Sequence, residues 1–146
     1  MRLTRHTDYA LRVLMYLSAE PDRLASIGEM SAAYGISHNH LMKVVNALVR
    51  AGYLTSVRGR SGGVRLAQPP VTIRVGEVVR MTEDSFRLAD CETCRIAPAC
   101  GLVSVLDEAV MAFLAVLDRY TFADLPEREV DFLSIFLPPS EPVPAD

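Results

Sequence analysis

The chain has 146 residues, half of them hydrophobic, enough to build one domain with its own core. No apolar run approaches the roughly 20 residues that span a bilayer, because Arg12 interrupts one candidate and Asp107 with Glu108 another. The net charge of -3 conceals a division: residues 1–87 carry 12 Lys and Arg against 7 Asp and Glu, whereas residues 88–146 carry 3 against 11, so the first part suits phosphate and the second repels it.

The N-terminus does not read as a secretory leader, since Asp8 and Arg12 break the apolar stretch that should follow Arg2 and Arg5. A cytoplasmic location is therefore expected, where thiols stay reduced. Ala10, Val13, Leu14 and Leu17 recur at helical spacing and predict an amphipathic helix over residues 4–19, closed by Pro21. Asp8 lies near its start, where an acid favours the positive end of the helix dipole.

Ser26-Ile27-Gly28-Glu29 has the form of a capping box and opens a short helix that Gly35 ends. Ser37 caps the next one, which points Leu41, Val44, Val45 and Leu48 inward until Gly52. Two short helices joined by a tight glycine turn make a helix-turn-helix. The outer face of the second carries Ser37, His38, Asn39, His40, Lys43 and Asn46, side chains suited to base edges and phosphates in a major groove.

Residues 53–57 and 64–66 are short β-prone runs around Arg58-Gly59-Arg60-Ser61-Gly62-Gly63. A basic, glycine-rich hairpin directly after a helix-turn-helix is the wing of a winged helix, with Arg58, Arg60 and Ser61 at its tip. Binding of double-stranded operator DNA follows from the combination. After Pro69 and Pro70 another short helix is expected over residues 75–83, packing through Val78, Val79 and Met81.

All three cysteines then fall in residues 91–100, Cys91-Glu92-Thr93-Cys94-Arg95-Ile96-Ala97-Pro98-Ala99-Cys100. An odd number argues against a disulfide framework, and three thiolates so close form an incomplete metal coordination sphere that needs one more donor. An iron-sulfur cluster suits this spacing; structural zinc, or three small buried residues, are the alternatives. Arg95 and the backbone amides near Pro98 suit thiolate charge.

From Gly101 to Tyr120 the positions Leu102, Val105, Leu106, Ala109, Ala112, Phe113, Val116, Leu117 and Tyr120 follow three- and four-residue steps. Val103, Val110, Met111, Leu114 and Ala115 widen the apolar surface further, which predicts a long dimerisation helix and a homodimer. Residues 130–137 read equally as a docked helix or an extended arm, and prolines 138, 139, 142 and 144 predict a disordered end. The expected organisation is a winged helix-turn-helix over 1–83, a cysteine loop over 84–100, a dimerisation helix over 101–125 and an extension over 126–146. The fold class is mainly α with one small β-hairpin.

Residues 1–12 (Met1-Arg2-Leu3-Thr4-Arg5-His6-Thr7-Asp8-Tyr9-Ala10-Leu11-Arg12), His40-Leu41-Met42-Lys43-Val44-Val45 and residues 94–100 make the chain resemble the iron-sulfur winged-helix repressors, in particular their nitric-oxide-sensing branch. The resemblance covers residues 1–125. It implies a homodimeric, cytoplasmic repressor in which Cys91, Cys94 and Cys100 hold a 4Fe-4S cluster completed by Asp8 of the partner subunit, with nitric oxide as the signal. The two residues between Cys91 and Cys94 are fewer than that branch usually has, which leaves a 2Fe-2S centre open and Asp90 or Glu92 as substitute donors. The cluster-biogenesis branch fits less well, because its ligand histidine follows the last cysteine and here no histidine follows His40.

The competing readings are a cluster redox or cluster-status regulator and a zinc- or thiol-switched repressor. A thiol-disulfide oxidoreductase built on Cys91-Glu92-Thr93-Cys94 lacks the strand and helix alternation that such a site needs. No catalytic triad, phosphate loop or acid pair points to an enzyme.

Overall fold

The computed structural model describes residues 2–59, 61–126 and 135–136. Its elements are α1 (Arg5–Ala19), α2 (Ile27–Tyr34), α3 (His38–Arg50), β1 (Leu54–Val57), β2 (Gly63–Leu66), α4 (Val75–Thr82) and α5 (Leu102–Leu117), with short 3₁₀ turns at Pro70–Thr72 and Ala97–Ala99. The mainly helical architecture with one hairpin is the expected one. No described helix is long and apolar enough to cross a membrane.

Each helix of the first half starts on a side-chain oxygen that receives an otherwise unpaired N–H. Thr4 accepts the Thr7 N–H, Ser26 that of Glu29 and Ser37 that of His40, at 3.3, 3.1 and 3.3 Å. Gly35 ends α2 in the left-handed region at φ 63°, which lets the chain reverse within two residues and start α3.

The buried faces of these elements meet in one core. Val13, Leu14 and Leu17 of α1, Met30 of α2, Leu41, Val44 and Leu48 of α3, and Val78 and Val79 of α4 are almost completely removed from solvent. Burying each such side chain stabilises the fold by about 1.5–3 kcal/mol. Truncating Leu41 to alanine would cost about 2–5 kcal/mol and loosen α3 directly. Met81 departs from the expectation: it lies on the exposed side of α4.

β1 and β2 pair antiparallel from Leu54 opposite Leu66 to Val57 opposite Gly63. Ala25, just before α2, adds a third short edge, donating to the Val64 carbonyl at 3.0 Å and accepting the Val64 N–H at 2.9 Å. A Cβ on Gly63 would sit 2.7 Å from the Ala25 carbonyl oxygen, so this close approach requires glycine. The hairpin is thereby tied to the helix-turn-helix at its base while its tip projects.

α5 is shorter than residues 101–120, and its packed side draws on both apolar sets of the helix. Leu114 is buried and Val103, Leu106, Val110, Phe113 and Leu117 are partly buried, whereas Leu102, Val105, Ala109, Ala112 and Val116 face solvent. After α5 the chain returns to α4: the Phe122 N–H donates to the Ile73 carbonyl at 3.0 Å and the Val75 N–H to the Tyr120 carbonyl at 3.0 Å. Phe122 is fully buried there, and Arg80 of α4 grips Asp118 through two contacts of 2.6 Å. The expectations for residues 130–137 and for the proline-rich end fall outside the described residues, apart from Ile135 and Phe136.

Candidate nucleic-acid interface and metal centre

The periodicity that buries Leu41, Val44, Val45 and Leu48 turns the other side of α3 outward. Ser37, His38, Asn39, His40, Lys43 and Asn46 are all exposed, concentrated in the first two turns. Among the described residues Lys43 forms no ion pair, so no carboxylate neutralises it. An α-helix fits the B-DNA major groove, and donors near its N-terminus meet base edges and phosphates first.

The wing adds Arg58 and Ser61, both exposed, and Arg65 on β2. Arg58 likewise has no ion-pair partner among the described residues. Arg60 lies outside the described residues.

A groove of about 170 Å³ runs between the start of α1 and α3, lined by Arg5, His6, Tyr9, His40, Lys43 and Val44. Tyr9 and His40 bring their ring centroids to 6.3 Å. Arg5, His6 and Tyr9 were not among the residues expected beside the DNA-facing helix. Their signal in the sequence was the run Arg5-His6 at the start of α1, which becomes meaningful only once α1 packs on α3.

The cysteine loop joins α4 to α5 through successive three-residue turns: the Cys94 N–H donates to the Cys91 carbonyl, that of Ala97 to Cys94 and that of Cys100 to Ala97. Cys91 and Cys100 are half-buried, Cys94 is exposed, and all three are free thiols. Cys91 borders a cavity of about 180 Å³ lined also by Arg87, Leu88, Glu92, Val103 and Leu106. The two alternative donors are engaged: Asp90 accepts from the Thr93 hydroxyl at 3.1 Å, and Glu92 pairs with Arg87 at 2.6 Å.

Among the described residues of one chain, no three His, Cys, Asp or Glu side chains come together as a metal site. Asp8 is carried by α1, half-exposed, and held by Arg12 one turn on at 3.0 Å. An exposed pair of this kind contributes only about 0.3–0.5 kcal/mol and is readily exchanged for another partner. The donor chemistry fits an iron-sulfur group, with three unpaired accessible thiols and one weakly held carboxylate; a single chain does not assemble it.

Glu83 connects these parts. It follows α4, leads into the cysteine loop, and accepts the Thr4 backbone N–H at 2.7 Å, closing the start of α1. Partial burial pushes its carboxyl up, but hydrogen bonds from Thr7 and Thr4 and the neighbouring His6 outweigh this and hold it below the usual glutamate range.

Residues 3–128 match the Rrf2 family, described as iron-dependent transcriptional regulators. The chain is 48% identical over 141 residues to the HTH-type transcriptional regulator NsrR of Bacillus subtilis (strain 168), covering 92% of this chain and 97% of that protein. Among solved structures it resembles T. potens IscR, at 25% identity and a TM-score of 0.71 over 86% of this chain and 85% of the other. It also shares the fold of CymR, the global cysteine regulator of B. subtilis, at 24% identity and a TM-score of 0.69 over 86% of this chain and 95% of that one. The winged-helix architecture and the regulatory, non-enzymatic nature of these relatives lead to one assignment: the chain belongs to the Rrf2 family of iron-dependent transcriptional regulators.

Proposed function

We propose that the chain is a homodimeric, cytoplasmic repressor that holds operator DNA through α3 and the wing and lets it go in response to nitric oxide. The observation that carries this reading is the position of three free thiols in the loop that follows Glu83, whose carboxylate grips the start of α1, the helix bearing Asp8. The 48% identity to NsrR supports it. Cys91, Cys94 and Cys100 would hold an iron-sulfur cluster with Asp8 of the partner subunit. When bound, the cluster supplies iron, which takes up nitric oxide avidly. The close spacing of Cys91 and Cys94 keeps a 2Fe-2S centre, and with it a redox or cluster-status signal, as the second reading beside 4Fe-4S.

The exposed positions Leu102, Val105, Ala109, Ala112 and Val116 alternate in steps of three and four, the pattern of a helix-helix seam. Val105 is 58% and Val116 43% exposed in the single chain, and a second copy is the occupant that covers them symmetrically. Two recognition helices related by a twofold axis then match half-sites about one DNA turn, roughly 34 Å, apart.

Within such a dimer Asp8, paired with Arg12 of its own helix at 3.0 Å, would be the residue to exchange that partner for the metal held by the other subunit's thiols. That exchange would fix α1 to the other subunit, and Tyr9, whose ring stands 6.3 Å from that of His40, would link its position to α3. Once Asp8 returns to Arg12, α1 is free to move with its own winged unit, and the spacing of the two recognition helices is no longer held.

Replacing Cys94 or Cys100 by alanine should remove both bound iron and operator retention, while Asp8→Ala should keep iron, bind the operator more weakly and respond less to nitric oxide. A Cys100→Ala protein that lacks iron yet still binds its operator tightly and responds to nitric oxide would contradict this reading.

A further inference from the structure

Tyr16 of α1 and Tyr34, the last residue of α2, stand edge to face with ring centroids 6.1 Å apart and planes at 66°. Both hydroxyls are engaged: that of Tyr16 donates to the Glu29 carboxylate at 2.6 Å, and that of Tyr34 to the Arg12 carbonyl at 3.0 Å. What the rings still offer to a ligand is their apolar edges and faces. A space of about 570 Å³, walled by Tyr16, Glu29, Ala33, Ile135 and Phe136, lies beside the notch between the two rings, which Ala32 and Ala33 are too small to cover.

Phe136 enters this notch. Its ring lies 5.0 Å from that of Tyr34 at 70° and 5.9 Å from that of Tyr16 at 53°, within the range where aromatic pairs attract beyond simple burial. The neighbouring Ile135 is 63% exposed, while Phe136 is half-buried. Phe122, the last fully buried side chain among the described residues, lies fourteen positions upstream of Phe136.

We infer that the notch between Tyr16 and Tyr34 is a docking site for a single aromatic side chain, and that Phe136 of this chain's own C-terminal segment is its occupant. The docked ring braces the end of α2 against α1, so that a segment beyond the dimerisation helix stabilises the first helix of the helix-turn-helix. The site is separate from the cysteine loop and does not depend on metal.

The test is nuclear magnetic resonance on the full-length protein. Wild type should show ring-to-ring Overhauser contacts from Phe136 to Tyr16 and Tyr34. Phe136→Ala should shift both tyrosine resonances and speed amide exchange over residues 30–34 about two- to tenfold, the loss expected for aromatic pairing, with Phe136→Leu falling between. A synthetic peptide spanning residues 130–141 should restore the Tyr34 shift when added to full-length Phe136→Ala, and should leave wild type unchanged because its notch is filled. Absence of the Overhauser contacts in wild type, which needs no variant to fold, or identical tyrosine shifts in wild type and Phe136→Ala, would overturn the assignment.

Discussion

Glu83 accepts the Thr4 backbone N–H at 2.7 Å, so the residue that opens the cysteine loop also closes the helix that carries Asp8. This hydrogen bond ties the start of the loop to the start of α1 within one subunit. Glu83→Ala removes this cap and should cost about 0.5–1 kcal/mol at pH 7, discounted for its partial exposure. The carboxyl is held below the usual range in the folded chain, so its contribution is complete above the unfolded value and fades as pH falls through the folded one. Urea unfolding of the two proteins should therefore differ at pH 7 and converge on strong acidification; equal stability at pH 7 would remove Glu83 from this role.

Gly63→Ala places a methyl group against the Ala25 carbonyl, a backbone atom that cannot swing aside. The expected cost is about 1–3 kcal/mol, together with weaker operator binding because the base of the wing is pushed off α2. Thermal unfolding reads the first effect, and a neutral substitution would mean that the edge at Ala25 is not formed.

Lys43→Ala and Arg58→Ala should each weaken operator binding and lower the slope of log K against log salt by about 0.9, the value for one lost phosphate contact. Neither side chain has an ion-pair partner among the described residues, so stability should stay within about 0.5 kcal/mol of wild type. A titration at several salt concentrations that leaves the slope unchanged would take that residue off the DNA.

Much of this was legible in the sequence because the relevant signals are local. Ser26, Ser37 and Gly35 mark helix ends through groups within four residues of themselves, and Leu41, Val44, Val45 and Leu48 leave only one face of α3 turned outward. The packed face of α5 was not legible: both sides of the helix are apolar, and it is the tertiary packing of α5 on α4 that puts Val110, Phe113 and Leu114 against the core. Cysteine spacing gave the donor types of the candidate centre but not their convergence. The role proposed for Asp8 came from family resemblance, since an acid at a helix start has an equally good local reason to be there.

The α5 seam gives a prediction free of folding artefacts. Val105 and Val116 are exposed in the single chain, so Val105→Asp or Val116→Asp should leave the subunit fold intact while placing charges in the proposed dimer seam. Analytical ultracentrifugation should find monomers, and operator affinity should fall at least tenfold as the second half-site is lost. A dimer that persists in both variants would move the interface elsewhere.

The most direct measurement combines metal content with DNA binding: iron and acid-labile sulfide per chain on anaerobically purified protein, followed by operator binding and visible spectrum during stepwise addition of nitric oxide. The expected result is an iron-sulfur chromophore, about four iron and four sulfide per cluster, that is lost in parallel with the operator complex. Colourless protein carrying zinc or no metal after anaerobic reconstitution, or an operator complex that survives complete bleaching of the chromophore, would contradict sensing through the cysteine loop.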